Sequence, residues 1–434
     1  MPLSVRAVAR VLGALAWWPL LAATANATNY DEAKVGDYTL PDPLVCNDGS
    51  RVTDADTWFD KRRPEILEAY RSEIFGRSPG AGTNVTYNVW EISSNALGGA
   101  AIRKQVEINF SGTAEGPLAH LLLYTPAGRR SSPAFLCLQF NGNYTATEDP
   151  GVAIFPEWNG QRGQPAMPKN PVRGQFARNW KIAETLARGY GIGLIDYREI
   201  EPDLAGGAGF KYGVHKNFPP PAADGWGAIG AWAWGASRVL DYLETDKSVD
   251  AKRVGIEGHS RYGKAALVAM AYDPRFAIGY ISSSGEGGAK LYRDNFGEPI
   301  ENVAGVREYH WMAENFLKYA GPLKPSDLPV DANELIALCA PRPVFIGFGG
   351  ATASKDGWAD PWGMFLAANA AGGVYGLFET NKTMEHIPWQ MTPDCVVVGK
   401  GKICIRGHPY GHTDVPNWPA FLEFADRYFN TPNH

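Results

Sequence analysis

The run Arg253-Val-Gly-Ile-Glu-Gly-His-Ser-Arg-Tyr-Gly-Lys-Ala-Ala-Leu sets one serine where a short apolar segment gives way to an Ala-rich one. That is the strand-turn-helix context in which a serine hydroxyl becomes a nucleophile for acyl transfer. Gly258 and Gly263 supply the small neighbours a tight turn needs. Ser260 at a helix N-terminus would also meet free backbone N–H groups able to hold a developing oxyanion. Arg261, directly after it, would contribute its own N–H. The match to Gly-x-Ser-x-Gly is imperfect, because the second glycine follows the serine by three residues. An ordinary Ser helix cap is the competing reading.

A serine hydroxyl needs a base, and the base needs a third group to hold it. In the order Ser, acid, His, the base must come after Ser260, which leaves His310, His386, His408, His412 and His434. His412 shortly precedes a C-terminal amphipathic segment, the place from which such a base reaches back, and His408 is the alternative. The acid should follow a strand between the two. Pro343-Val-Phe-Ile-Gly-Phe reads as that strand, with Asp356 and Asp360 after it. Asp360 precedes Pro361 and looks like a helix N-cap with Pro at the first helical position. Asp356 is therefore the preferred acid, with Glu286 and Glu257 as rivals.

The elements that must position these groups form an alternating series. Strands are expected at Arg103–Phe110, Leu118–Tyr124, Pro133–Phe140, Gly191–Asp196, Arg253–Glu257, Ile278–Ser283, Pro343–Phe348 and Val374–Glu379. Helices are expected at Pro64–Phe75, Arg178–Arg188, Trp226–Glu244, Arg261–Tyr272, Pro361–Ala371 and Pro416–Phe429. Such alternation implies an α/β fold, a three-layer sandwich with a mainly parallel sheet. The Trp-rich stretch Trp226 to Trp234 has helical spacing and reads as core packing. Long loops at Asn141–Asn170 and Glu201–Ala223, rich in Gly, Pro and Asn, are candidates to build the substrate site.

Arg6 and Arg10, the apolar run Val11–Ala23 and Ala25-Asn-Ala27 read as a signal peptide over residues 1–27. The expected mature chain, 28–434, is one catalytic domain, secreted or periplasmic, and a monomer. A net charge of −5 without a basic run offers nothing to nucleic acid, and no second apolar segment is long enough to cross a membrane. With Cys46, Cys137, Cys339, Cys395 and Cys404, at least one cysteine is unpaired in a monomer. Cys395 and Cys404 flank an apparent hairpin that a disulfide could close. Neither Cys-x-x-Cys nor His-Glu-x-x-His occurs, so neither a metal nor a cofactor is expected.

Across most of the mature chain the sequence resembles the glucuronoyl esterases of carbohydrate esterase family 15, particularly their bacterial branch. The resemblance is carried by Phe140-Asn-Gly-Asn, Asp224-Gly-Trp-Gly-Ala-Ile-Gly-Ala-Trp-Ala-Trp-Gly-Ala-Ser-Arg and Gly258-His-Ser-Arg-Tyr-Gly-Lys-Ala-Ala-Leu. Phe296-Gly-Glu, Ala340-Pro-Arg-Pro and Asp356-Gly-Trp-Ala-Asp-Pro add to it. It implies an α/β-hydrolase fold and hydrolysis of the ester joining 4-O-methyl-glucuronic acid of xylan to lignin alcohols. It also implies Ser260 as nucleophile, His412 as base and Arg261 on the oxyanion through both N–H and guanidinium. Lys264 and Glu298 would bind hydroxyls of the uronate ring, and Trp358 would line its pocket. One departure stands out. Many members carry a catalytic Glu in a Glu-Ser-Gly segment, where this chain has Ser282-Ser-Ser-Gly with Ser283 at the Glu position. The acid then falls to Asp356. An acetyl-xylan or other carbohydrate esterase, an α/β peptidase, or an inactive binding protein on the same fold are the competing functions.

Overall fold

The computed structural model describes residues 28–80, 84–158, 164–378 and 401–429. Its strands are β1 (Thr86–Ala96), β2 (Ala101–Asn109), β3 (Leu118–Pro126), β4 (Ser132–Gln139) and β5 (Gly191–Asp196). β6 (Val249–His259), β7 (Ile278–Ser282), β8 (Val344–Phe348) and β9 (Ile403–Gly407) follow. They form one sheet in the order β1-β2-β3-β5-β4-β6-β7-β8-β9. The three pairings from β1 to β5 are antiparallel, and the five from β5 to β9 are parallel.

The main helices are α1 (Arg63–Glu73), α2 (Ile182–Ala187), α3 (Ala228–Thr245), α4 (Arg261–Tyr272), α5 (Ala332–Ala337), α6 (Pro361–Tyr375) and α7 (Trp418–Phe429). Apolar side chains of α1, α3, α4, α5 and α6 share one core with one face of the sheet. Those of α2 and α7 share a second core with the other face. With both faces covered, β4, β5, β7 and β8 are buried at every position, which is why they read as unbroken apolar runs. This is the three-layer α/β-hydrolase arrangement expected from the sequence. Trp226, Trp232 and Trp234 are buried in the core, as packing requires.

Two expectations need correction. Val374–Phe378 is not strand: α6 runs on through Tyr375 and a 3-10 turn covers Gly376–Phe378. A short apolar run has no periodicity to separate helix from strand, and here it extends a helix buried on most of its surface. Most of the apparent hairpin between Cys395 and Cys404 lies outside the described residues; Ile403, its last residue, begins β9, which pairs in parallel with β8 from Val344↔Ile403 onward. Cys395 and the expected signal peptide lie outside the described residues, while Cys404 is buried on β9. The helix expected over Arg178–Arg188 breaks at Lys181, whose φ is +47°. Two strands, β1 and β9, are not among those expected from the sequence; β1 has a mixed sequence on the largely exposed sheet edge.

Parallel strands bring their carboxyl ends to the same edge of the sheet, and ligands of open α/β sheets bind there. Ser260 follows β6, Ser283 follows β7, Asp356 lies beyond β8 and His412 beyond β9.

Candidate active site

Ser260 occupies the turn between β6 and α4 with φ 60° and ψ −129°. For a residue with a Cβ this conformation costs on the order of 1–3 kcal/mol, so the surroundings must enforce it. Two glycines do so. A Cβ on Gly258 would stand 2.1 Å from the Tyr262 carbonyl oxygen, and one on Gly263 would stand 2.7 Å from that of Ser282. The late glycine that makes the motif imperfect is thus the one that lets α4 close against β7. The Ser260 N–H donates to the Ser282 carbonyl at 2.8 Å, which fixes the turn to the next strand.

His412 Nδ1 lies 2.7 Å from Asp356 Oδ1. An ionised carboxylate only accepts, so Nδ1 carries the hydrogen and Nε2 is left free to take a proton. The other oxygen of Asp356 accepts from Ser283 Oγ and from the Gly349 N–H, each at 2.6 Å. Burial by itself would raise the Asp356 carboxyl. Its bonds to His412, Ser283 and Gly349 outweigh burial and hold it below the usual carboxylate range. The His412 ring packs 4.2 Å from that of His259, next to the serine, and 4.9 Å from that of Trp358. Burial, with His412 beside it, pushes His259 down to about 3, so this neighbour stays neutral.

Lys264, Glu298 and Trp358, which the resemblance assigns to the sugar, come together in the structure. Lys264 is buried one turn into α4 and donates to Glu298 Oε2 at 3.0 Å and to the Ser284 carbonyl at 2.7 Å. Glu298 Oε2 also accepts the Glu286 N–H at 3.0 Å, and the Glu298 N–H donates to the Trp358 carbonyl at 2.8 Å. Gly285, at φ +58°, marks the meeting point. A Cβ there would lie 2.6 Å from Glu298 Oε2, 3.1 Å from the Trp358 ring and 3.4 Å from Lys264 Nζ.

Arg261 is held by groups the sequence did not single out. Its guanidinium pairs with Asp203 and lies 4.9 Å from the Trp311 ring centre. Asp203 also accepts from His310 Nε2 at 2.9 Å and Trp311 Nε1 at 2.8 Å. Burial works against the charge on Arg261, but Asp203 more than restores it. Asp203 falls within the long loop already noted as site-building. Nothing in its sequence setting distinguished it, because its partners Arg261, His310 and Trp311 lie 58 to 108 residues further along the chain.

The rival residues sit in other surroundings. His408 is buried, with Nε2 donating to the Thr413 carbonyl at 2.7 Å and Nδ1 accepting the Tyr410 N–H at 3.2 Å. Glu286 pairs with buried Lys290 at 2.8 Å; burial pushes its carboxyl up to about 8 even though Lys290 opposes this. Glu257 is buried within β6, where burial and neighbouring Asp414 raise its carboxyl well above the usual range. Asp360 caps α6 by accepting the Gly363 N–H at 2.8 Å. Ser283, which seemed only an absence of Glu, instead donates to Asp356.

Comparison with known proteins gives consistent matches. A family model described as glucuronyl esterase, fungi, matches residues 221–378. Carbohydrate esterase MZ0003, from an unknown prokaryotic organism, is 39% identical over 419 residues, covering 94% of each chain. The structure of a glucuronoyl esterase from Solibacter usitatus superposes with a TM-score of 0.82 at 41% identity, covering 91% of this chain and 99% of that one. A structure described as a promiscuous CE15 esterase from the marine bacterial metagenome gives 0.79 at 37% identity, covering 93% and 100%.

Proposed function

This chain belongs to carbohydrate esterase family 15, and from that premise we propose that it is a glucuronoyl esterase in which Ser260, His412 and Asp356 form the catalytic triad. The observation that carries the reading is the position of the 2.7 Å His412–Asp356 pair. It stands beside a strained serine turn and within ring contact of Trp358, at the edge of the Lys264–Glu298 cluster.

The reaction follows from these groups. Ser260 Oγ attacks the ester carbonyl carbon while His412 Nε2 takes its proton. The carbonyl oxygen becomes an oxyanion, held by the Arg261 N–H and guanidinium, while Asp356 stabilises the imidazolium. The intermediate collapses, the C–O bond to the alcohol breaks, and His412 returns its proton to the departing oxygen. Water, deprotonated by His412, then releases glucuronate and restores the serine. Lys264 and Glu298 offer a donor and an acceptor to the sugar hydroxyls, and Trp358 offers an apolar wall.

The proposed natural substrate is the ester between (4-O-methyl-)glucuronic acid on xylan and a lignin alcohol. One relative being described as promiscuous keeps other carbohydrate esters, acetylated xylan among them, as a second reading. The proposal extends to a single catalytic domain over 28–434, monomeric and exported after removal of residues 1–27 as a signal peptide. Among the described residues no helix is long and apolar enough to cross a membrane. A serine-directed fluorophosphonate tests the site. It should label Ser260, and methyl glucuronate should slow that labelling; labelling elsewhere, or labelling the ester does not slow, would contradict the proposal.

A further inference from the structure

Both protein hydrogen bonds of the Glu298 carboxylate go to one oxygen. Oε2 accepts from Lys264 Nζ and from the Glu286 N–H, each at 3.0 Å, which leaves Oε1 for a sugar hydroxyl. Where that oxygen points depends on the backbone of residues 294–298, which lie in no strand or helix. Two consecutive N–H groups of this loop are taken by two distant segments. The Glu298 N–H donates to the Trp358 carbonyl and the Gly297 N–H to the Asn29 carbonyl, both at 2.8 Å. Gly297, at φ +69°, is pressed against the wall of the sugar site: a Cβ there would stand 2.3 Å from the Trp358 carbonyl oxygen.

The other side of the loop is held by the first described residues. Asn29 and Phe296 form an isolated parallel bridge, and Asn29 Nδ2 donates to Asn295 Oδ1 at 3.1 Å. The Tyr30 ring meets that of Phe296 edge-on, 5.7 Å between centres. Further along the same strap, Tyr38 OH donates to Asp294 Oδ2 at 3.1 Å. Lys290 reaches the Asp294 carbonyl, and the Phe296 N–H closes a turn on Asp294 Oδ1. Among the described residues, every other hydrogen bond of residues 294–297 comes from the strap. No residue from 28 to 40 is buried, and Tyr30 is 43% exposed, so the strap adds little to the core. What it holds is this one loop. We propose that Asn29 and Tyr30 are positioning residues for the sugar site, docked beside Phe296 and Gly297 so that the Glu298 carboxylate meets a hydroxyl of the uronate ring. The inference rests on the sugar role given to Glu298 in the proposed function.

The test shortens the exported chain by residues 28–30, so that it begins at Asp31. KM for methyl glucuronate should rise about tenfold, the worth of one hydrogen bond. The rate of fluorophosphonate labelling at Ser260, which makes no use of the sugar site, should stay within about twofold of the parent. In a Glu298→Ala background the same deletion should raise KM no further, because the strap acts through that carboxylate. Tyr30→Ala should raise KM by a smaller factor, and Tyr30→Phe, which keeps the ring contact, should leave it at the parent value. An unchanged KM after the deletion, labelling slowed as much as KM rises, or a full further rise in the Glu298→Ala background would each overturn the proposal. Should the shortened chain not fold, equal KM values for Tyr30→Ala and Tyr30→Phe would overturn it. A parent protein inert towards methyl glucuronate would overturn the esterase reading itself, and this inference with it.

Discussion

Replacing Asp356 by Asn tests the triad with almost no change of shape, and the structure dictates which way the new amide must turn. The Gly349 N–H can only donate, and it meets Asp356 Oδ2 at 2.6 Å. The amide oxygen must take that position, where Ser283 Oγ also donates. The NH2 is then left facing His412 Nδ1 across the 2.7 Å contact. Two donors cannot share it, so His412 must accept at Nδ1 and carry its hydrogen on Nε2, the tautomer that cannot take a proton from Ser260. A wrong-tautomer histidine lowers kcat by on the order of 10⁴-fold, about 5.5 kcal/mol on the barrier. Initial rates at saturating benzyl glucuronate measure this, with a thermal melt to show that the Gly349 and Ser283 bonds still hold the fold. Glu286→Gln is the control, because Glu286 reaches Lys290 and not His412. A loss below about tenfold in Asp356→Asn, or a larger loss in Glu286→Gln, would refute the reasoning.

The remaining predictions concern the elbow, the oxyanion, the sugar site and pH. Ser260→Ala should reduce turnover to background and eliminate fluorophosphonate labelling, read by intact-protein mass. Arg261→Ala should lower kcat by roughly 10²–10³-fold with a smaller change in KM, since an oxyanion contact strengthens mainly in the transition state. Lys264→Ala should act chiefly on KM, raising it by about tenfold, and an unchanged KM would remove Lys264 from sugar binding. Burial pushes Asp360 up to about 7 despite opposition from Lys290. The folded carboxyl therefore keeps its proton after the unfolded one, near 3.8, has released it, and stability is lost as pH rises from about 4 to 7. Asn keeps the bond to Gly363 and tolerates the φ of +54° at this position. Asp360→Asn should thus match the parent Tm near pH 4 and exceed it at pH 8; a constant gap would contradict this.

What the sequence disclosed follows from how local each signal is. The buried parallel strands and the turn at Ser260 are written in consecutive residues, so their elements could be read directly. Chain order and the strands they follow mark His412 and Asp356 as candidates. Asp203, Trp311 and the Ser283–Asp356 bond were not legible, because their meaning exists only once distant loops meet at the sheet edge. Val374–Phe378 was misread for the opposite reason: the local run is apolar either way, and only the buried setting of α6 decides for helix.

The most direct test of the central claim compares kcat/KM on benzyl glucuronate with acetate release from acetylated xylan by the same purified protein. The account predicts efficient cleavage of the glucuronate ester, abolished by Ser260→Ala, with little acetate released. Vigorous acetate release without turnover of the glucuronate ester would contradict it.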